Sequence, residues 1–293
     1  QRSDSMQELE FWDHVRELGS RLKVALYFFL AFTIIFLVFP ADVDVFNPSG
    51  FYKPLVGLIL QIVKDQVLNG GIIGVKIEGI KLIGVEFSNP LEIYFIASLV
   101  LAFICSLPVT AYEVYKFIDP ALYEHERRAV YPFVISFSAM FAVGAVFGYL
   151  VIAPFILWAM LPFFSMVGAE MLISVSDFYS LIFLSVLFTG LSFTIPVIYV
   201  LLVRLGILST DTVRKNRRYL YAALFIITAV ITPDGGPIAD FALFIPIALM
   251  MEVAVRIAGR YEKERVFTSR KCKFCGAEIG DEVFCPKCGR SQI

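Results

Sequence analysis

The sequence predicts an all-α polytopic membrane protein with six transmembrane helices, and three observations carry that expectation. Of its 293 residues 58% are hydrophobic and only 17% charged, with a mean hydropathy of +0.77, outside the range of water-soluble domains. Long apolar runs are separated by charged connections: Leu91 to Tyr115 is interrupted only by Glu92 and Glu113, and Ala129 to Ala153 carries no charge. The basic residues also fall in alternate connections. The net charge of −1 points to no nucleic-acid partner, so the sign of each loop matters more than the sum.

A helix that crosses the hydrocarbon needs roughly 20 apolar residues, at about 1.5 Å each across about 30 Å. Six segments meet or approach this: Leu22 to Phe39, Leu91 to Ile118, Ala129 to Ala153, Asp177 to Leu205, Tyr219 to Thr232 and Ile238 to Val255. The last two are short. Gln1 to Asp13 is polar and shows no cleavable leader pattern. A chain opening on Gln1 rather than methionine suggests a tag remnant or a fragment.

Residues 40–90 are expected to form a structured outer cap. Pro54 suits the first turn of a helix running to about Val67. Beyond Gly70 and Gly71, the stretch Val75 to Leu82 alternates apolar and polar, as a small surface β-ribbon does. Pro108 and Pro196 fall inside spans, where each removes an internal hydrogen bond. They are either simply tolerated or kink the helices into a curved wall.

Topology follows from Lys and Arg, which are retained on the cytoplasmic side. One set of connections holds 21 of them and the other 4, all in the cap. Both termini are therefore expected in the cytoplasm, as an even number of spans also requires. The expected organisation is a cytoplasmic segment 1–21, a membrane domain 22–258, a linker 259–270 and a separate tail 271–293.

Seven short motifs then recur in order at membrane-compatible positions. They are His14-Val15-Arg16-Glu17-Leu18 with Arg21-Leu22, Asn89-Pro90, Leu107-Pro108-Val109, and the charged loop from Phe117 to Arg128. Later come Phe193-Thr194-Ile195-Pro196-Val197, Arg214 to Tyr219, and Thr232-Pro233-Asp234. From about Glu10 to Glu262 the chain resembles the TatC family, the signal-binding subunits of the twin-arginine protein translocase.

The resemblance implies a receptor without catalytic chemistry, working in the cytoplasmic membrane. It would bind twin-arginine signal peptides of folded cargo and act with small single-span subunits of the TatA and TatB type, driven by the proton gradient. It also implies an oligomer in contact with membrane lipid. Glu17 and Glu126 match the acids that hold the arginine pair, and Phe117 matches a loop aromatic of the family. A carboxylate suits this task because a guanidinium is always charged and presents a planar fork of donors. The ordinary alternatives are a surface pair of Glu126 with Arg127, Arg128 or Arg218, and an i,i+4 pair of Glu17 with Arg21.

Two departures from the family pattern stand out. Gly19 replaces a basic residue, so an ion pair that orients Glu17 must come from Arg16 or Arg21. Thr194 stands where relatives often carry an intramembrane Glu. Glu113 is a further polar candidate, since a membrane acid is functional by default. Its ordinary alternative is snorkelling to the nearby face with Lys116 as partner. Pro108, Pro196 and Asp234 are structural candidates within the matched motifs.

The tail carries Cys272-x-x-Cys275-Gly276 and Cys285-x-x-Cys288-Gly289. Two such knuckles offer four thiolates in tetrahedral reach, and the glycines allow the tight turns that follow. Disulfides are the alternative, disfavoured in a reducing cytoplasm, and a redox pair usually comes singly on a larger fold. The tail resembles a zinc ribbon, which implies one structural zinc on Cys272, Cys275, Cys285 and Cys288. Cys105 reads as packing within the second span. A secondary transporter of small solutes is the rival function, yet the halves show no internal repeat.

Overall fold

The computed structural model describes residues 2–41, 54–68, 81–118, 130–168, 170, 172–231 and 236–267, and in the tail 270–271, 274–275, 278–279 and 287–288. Its helices are α1 (Arg2–Val38), α2 (Leu55–Leu68), α3 (Asn89–Ile118), α4 (Val130–Phe147), α5 (Ala153–Val167), α6 (Val175–Arg204), α7 (Thr210–Lys215), α8 (Arg217–Ile231) and α9 (Gly236–Phe267). Five helical stretches are long and apolar enough to cross a membrane: Arg16–Val38, Asn89–Phe117, Pro132–Val167, Val175–Arg204 and Ala239–Glu262. The fifth of the six expected spans, α8, has 15 residues and falls short of that length. Outward-facing apolar side chains such as Leu22, Ile34, Ile226, Val230 and Leu249 are exposed, as a lipid-facing surface requires.

The bundle is built around α6, which packs against α3, α4 and α9. One apolar cluster joins α2, α3, α5 and α6 around Val56, Ala97, Phe178 and Ile182. A second joins α6, α8 and α9 with Ile152 and Ile156 around Leu243, Ile247 and Met251. A third sets Leu107 and Phe141 against Val186. Among the described glycines the tightest contacts lie between α4 and α6. A Cβ at Gly144 would lie 2.7 Å from Phe193 Cβ, and one at Gly148 would lie 2.9 Å from the Ser185 carbonyl oxygen. These two glycines form a small-x-x-x-small face that lets the backbones approach.

The third span does not end at Ala153. A π turn, Gly148–Ile152, joins α4 to α5 without interruption, and the Ala153 N–H donates to the Gly148 carbonyl. The wider turn accommodates Pro154, which has no N–H to give. Helix therefore continues to Gly168, whose φ of 72° terminates it in the left-handed region. The stretch 155–167, expected as outer loop, is helical.

In the cap, α2 begins directly after Pro54 as expected. Of the expected ribbon only Lys81 and Leu82 are described, and they fall in β1 (Lys81–Ile83), which pairs in parallel with β2 (Leu172–Ser174), from the far side of α5. Lys81 Nζ lies 2.9 Å from Glu170 Oε2 beside that pairing. Residues 69–80 lie outside the described residues. At the other end, α9 runs on to Phe267 through most of the expected linker. Strands β3 (Arg270–Lys271) and β4 (Glu278–Ile279) form an antiparallel pair beyond it.

Candidate functional site

Glu17 and Arg21 lie one turn apart near the start of the apolar part of α1. The Arg21 Nε and Nη2 donate to Glu17 Oε1 at 3.1 and 2.5 Å. The partner of Glu17 is thus Arg21, the i,i+4 neighbour. Arg21 also reaches across to α3, where its Nη1 lies 3.6 Å from Glu113 Oε2. Arg21 and Glu113 are only 17% and 16% exposed, and Glu17 is 35% exposed.

Glu113 is therefore not paired with Lys116. The Lys116 ammonium sits 5.9 Å from the Tyr112 ring centre instead. Phe117 follows one turn after Glu113 on the same face of α3 and is half-buried. The structure brings Glu17, Arg21, Glu113 and Phe117 to one end of the α1 and α3 pair. Glu126, Asp234, Cys272 and Cys285 lie outside the described residues.

Thr194 is buried within α6, where its hydroxyl donates to the Leu191 carbonyl at 2.6 Å. That bond is local to the helix. Pro196 sits in the same unbroken helix, as Pro108 does in α3. Ser106 and Thr110 flank Pro108 and donate to the Phe103 and Ser106 carbonyls.

A further acid belongs to the bundle. Glu252 of α9 accepts from the Tyr221 hydroxyl, and its Oε1 lies 3.3 Å from Arg217 Nη1. This ties α8 to α9. The signal was present in the sequence, since Glu252 falls inside an apolar span where an acid needs a reason. The second contact of Arg21, to Glu113, had no local signal.

A multi-pass helical membrane protein with a carboxylate–guanidinium cluster at one end of its first two spans is the class this geometry defines. Comparison places it further. The family model for Sec-independent protein translocase protein (TatC) matches residues 13–246. The chain belongs to the TatC family. It is 28% identical over 256 residues to the TatC protein of Aquifex aeolicus, covering 86% of this chain and 97% of that relative. With the Escherichia coli K12 TatC protein it shares 34% identity over 169 residues, covering 58% and 63% respectively. A crystal structure of the twin-arginine translocase receptor TatC in the detergent DDM superposes with a TM-score of 0.68 at 27% identity. It covers 84% of this chain and 99% of that one.

Two cysteines of the tail are described, Cys275 exposed and Cys288 half-buried. Among the described residues no group of three or more His, Cys, Asp or Glu is close enough to hold a metal. The family match ends at residue 246, so the tail lies beyond it.

Proposed function

We infer that this chain, a core subunit of the twin-arginine protein translocase, is the receptor that reads the arginine pair of the signal peptide through Glu17 and Glu126. The observation that carries this reading is the bond between Glu17 and Arg21. Glu17 already holds a guanidinium at the edge of the apolar zone, so an incoming arginine meets a carboxylate placed for charge-assisted bonding. Glu113 supplies Arg21 with a second carboxylate once Glu17 is engaged by the peptide.

Six spans with cytoplasmic termini fit this role, with α8 as the short fifth span. The excess of Lys and Arg on one set of connections supports that orientation. Single-span subunits of the TatA and TatB type and an oligomeric assembly belong to the same proposal. Family membership does not favour the small-solute transporter.

The test is binding of a twin-arginine signal peptide to purified Glu17→Ala and Glu126→Ala, with Glu124→Ala as a neighbour of equal charge. Loss of one partner of a partly desolvated pair costs about 2 to 3 kcal/mol, against less than about 1 for an exposed pair. Equal binding by all three variants, or binding that persists in Glu126→Arg, would overturn the assignment.

A zinc ribbon in the tail is a separate part of the proposal. The pairing of Arg270 with Ile279 and Lys271 with Glu278 sets the first Cys-x-x-Cys in the connection between two strands. Turns at 274–275 and again at 287–288 repeat with the spacing of the two Cys-x-x-Cys pairs. Four thiolates in two such turns suit tetrahedral zinc, which would hold the fold together without chemistry of its own.

A further inference from the structure

At the end of the bundle where α6 finishes, α4, α6 and α9 enclose a groove of about 670 Å³. Its walls are apolar stripes at helical spacing, such as Ala139 on α4, Val200 on α6, and Leu249 and Val253 on α9. Arg204 is the single charged side chain in the lining. Its guanidinium carbon lies 5.2 Å from the ring centre of Tyr261, which closes the same end. Arg256 and Arg260 are exposed and continue the Leu249 and Val253 stripe at 3- and 4-residue steps.

Among the described residues, none of these three arginines has an ion pair. Of the acids beside them on α9 whose side chains are described, Glu252 is engaged by Tyr221 and Arg217 and Glu262 by the Thr210 amide and hydroxyl. The groove is thus an apolar slot with a positive mouth. From Leu249 to Tyr261 it extends about 18 Å along α9, close to one leaflet of a hydrocarbon slab about 30 Å thick.

We propose that this groove seats one phospholipid with an anionic headgroup. Its acyl chains lie between α4, α6 and α9, and its phosphate meets Arg204 with Arg256 and Arg260. Tyr261 stacks on Arg204 at the level where tyrosine and arginine anchor to the membrane surface.

Dimension and charge select this occupant. A partner's spanning helix needs about 30 Å, nearly twice the depth of the groove. A twin-arginine segment would bring like charge to three arginines that have no ion pair among the described residues. A zwitterionic headgroup would bring a cation there, and the described acids beside it, Glu252 and Glu262, are already engaged.

The experiment is native mass spectrometry of the full chain released from detergent, loaded with phosphatidylglycerol or with phosphatidylcholine of identical chains. One phosphatidylglycerol per chain is expected to survive at energies that strip phosphatidylcholine. Arg204→Gln should weaken that preference about fivefold, the effect of one arginine near a lipid surface. Ala139→Phe, which projects into the groove from an exposed position, should abolish retention of both lipids. Arg218→Gln should change nothing, because Arg218 lies over Tyr219 outside the groove. Equal retention of the two lipids would overturn the proposal. So would wild-type selectivity in Arg204→Gln, wild-type retention in Ala139→Phe, or crosslinking of a cysteine at Val253 to a partner helix in place of lipid.

Discussion

Arg21 and Glu113 meet across the interface between α1 and α3, with Nη1 3.6 Å from Oε2 and both side chains largely shielded from water. Since Glu17 holds the other edge of the same guanidinium, among the described residues Arg21 has two carboxylates and each carboxylate has one arginine. The loss on substitution should therefore be unequal. Glu113→Gln leaves Arg21 paired with Glu17 and should cost under about 1 kcal/mol. Arg21→Gln leaves two acids together without a cation and should cost about 1 to 3 kcal/mol. Unfolding of both variants in the same detergent checks the order, and equal losses would mean that the contact with Glu113 carries all of what Arg21 contributes, against the shared-guanidinium account.

The α4 and α6 contact gives a steric prediction. Gly144→Val must displace Phe193, and Gly190→Val must displace the Phe141 ring, 2.8 Å from the position of an added Cβ. Each should destabilise by about 1 to 3 kcal/mol. Gly19 has nothing within 4 Å of an added Cβ. Gly19→Ala should be neutral or stabilise by up to about 1 kcal/mol, because alanine is the better helix former. Thermal unfolding of the three variants gives the comparison.

Helix α8 predicts a thinned bilayer. Its 15 residues span about 22 Å against a slab of about 30 Å. Spin labels at Tyr219 and Val230, both exposed, should report shallow depths together when the protein is in lipid. A label at Val230 that reads the centre of the hydrocarbon would show a full-thickness membrane and remove the idea.

The tail should bind one zinc per chain. Metal analysis of the full chain is expected to fall from one zinc toward none in a Cys272→Ser, Cys285→Ser double variant, while the membrane part still elutes and unfolds as before. Zinc content unchanged in that variant would exclude the four-thiolate site.

What the sequence revealed and what it concealed divide along physical lines. Long apolar runs mark α3, α4, α6 and α9 because a bilayer imposes length and composition directly. Pro54 marks the start of α2, and the spacing of Glu17 and Arg21 marks a pair within one helix. The parallel pairing of Lys81 to Ile83 with Leu172 to Ser174 is different. It joins segments that only the folded bundle brings together, and so is the contact of Arg21 with Glu113. Gly144-x-x-x-Gly148 has the spacing of a close-packing motif but entered no expectation above, and its partner face on α6, Ser185 to Phe193, carries no local signal.

The wide turn at Gly148 to Ile152 sets a rule for how this chain can vary. One extra residue in a turn rotates everything beyond it by about 100°, so the two halves of the span face different neighbours. Phe141 before the turn packs toward α3 and α6, while Ile152 and Ile156 at and after it pack toward α9. Deleting Tyr149 would restore an ordinary helix and swing Ile156 away from Leu243 and Ile247. In this span, then, reading frame matters as much as hydrophobicity. Exposed apolar side chains here such as Val143 and Val146 can be exchanged for others, but gaining or losing a residue re-aims half of the helix.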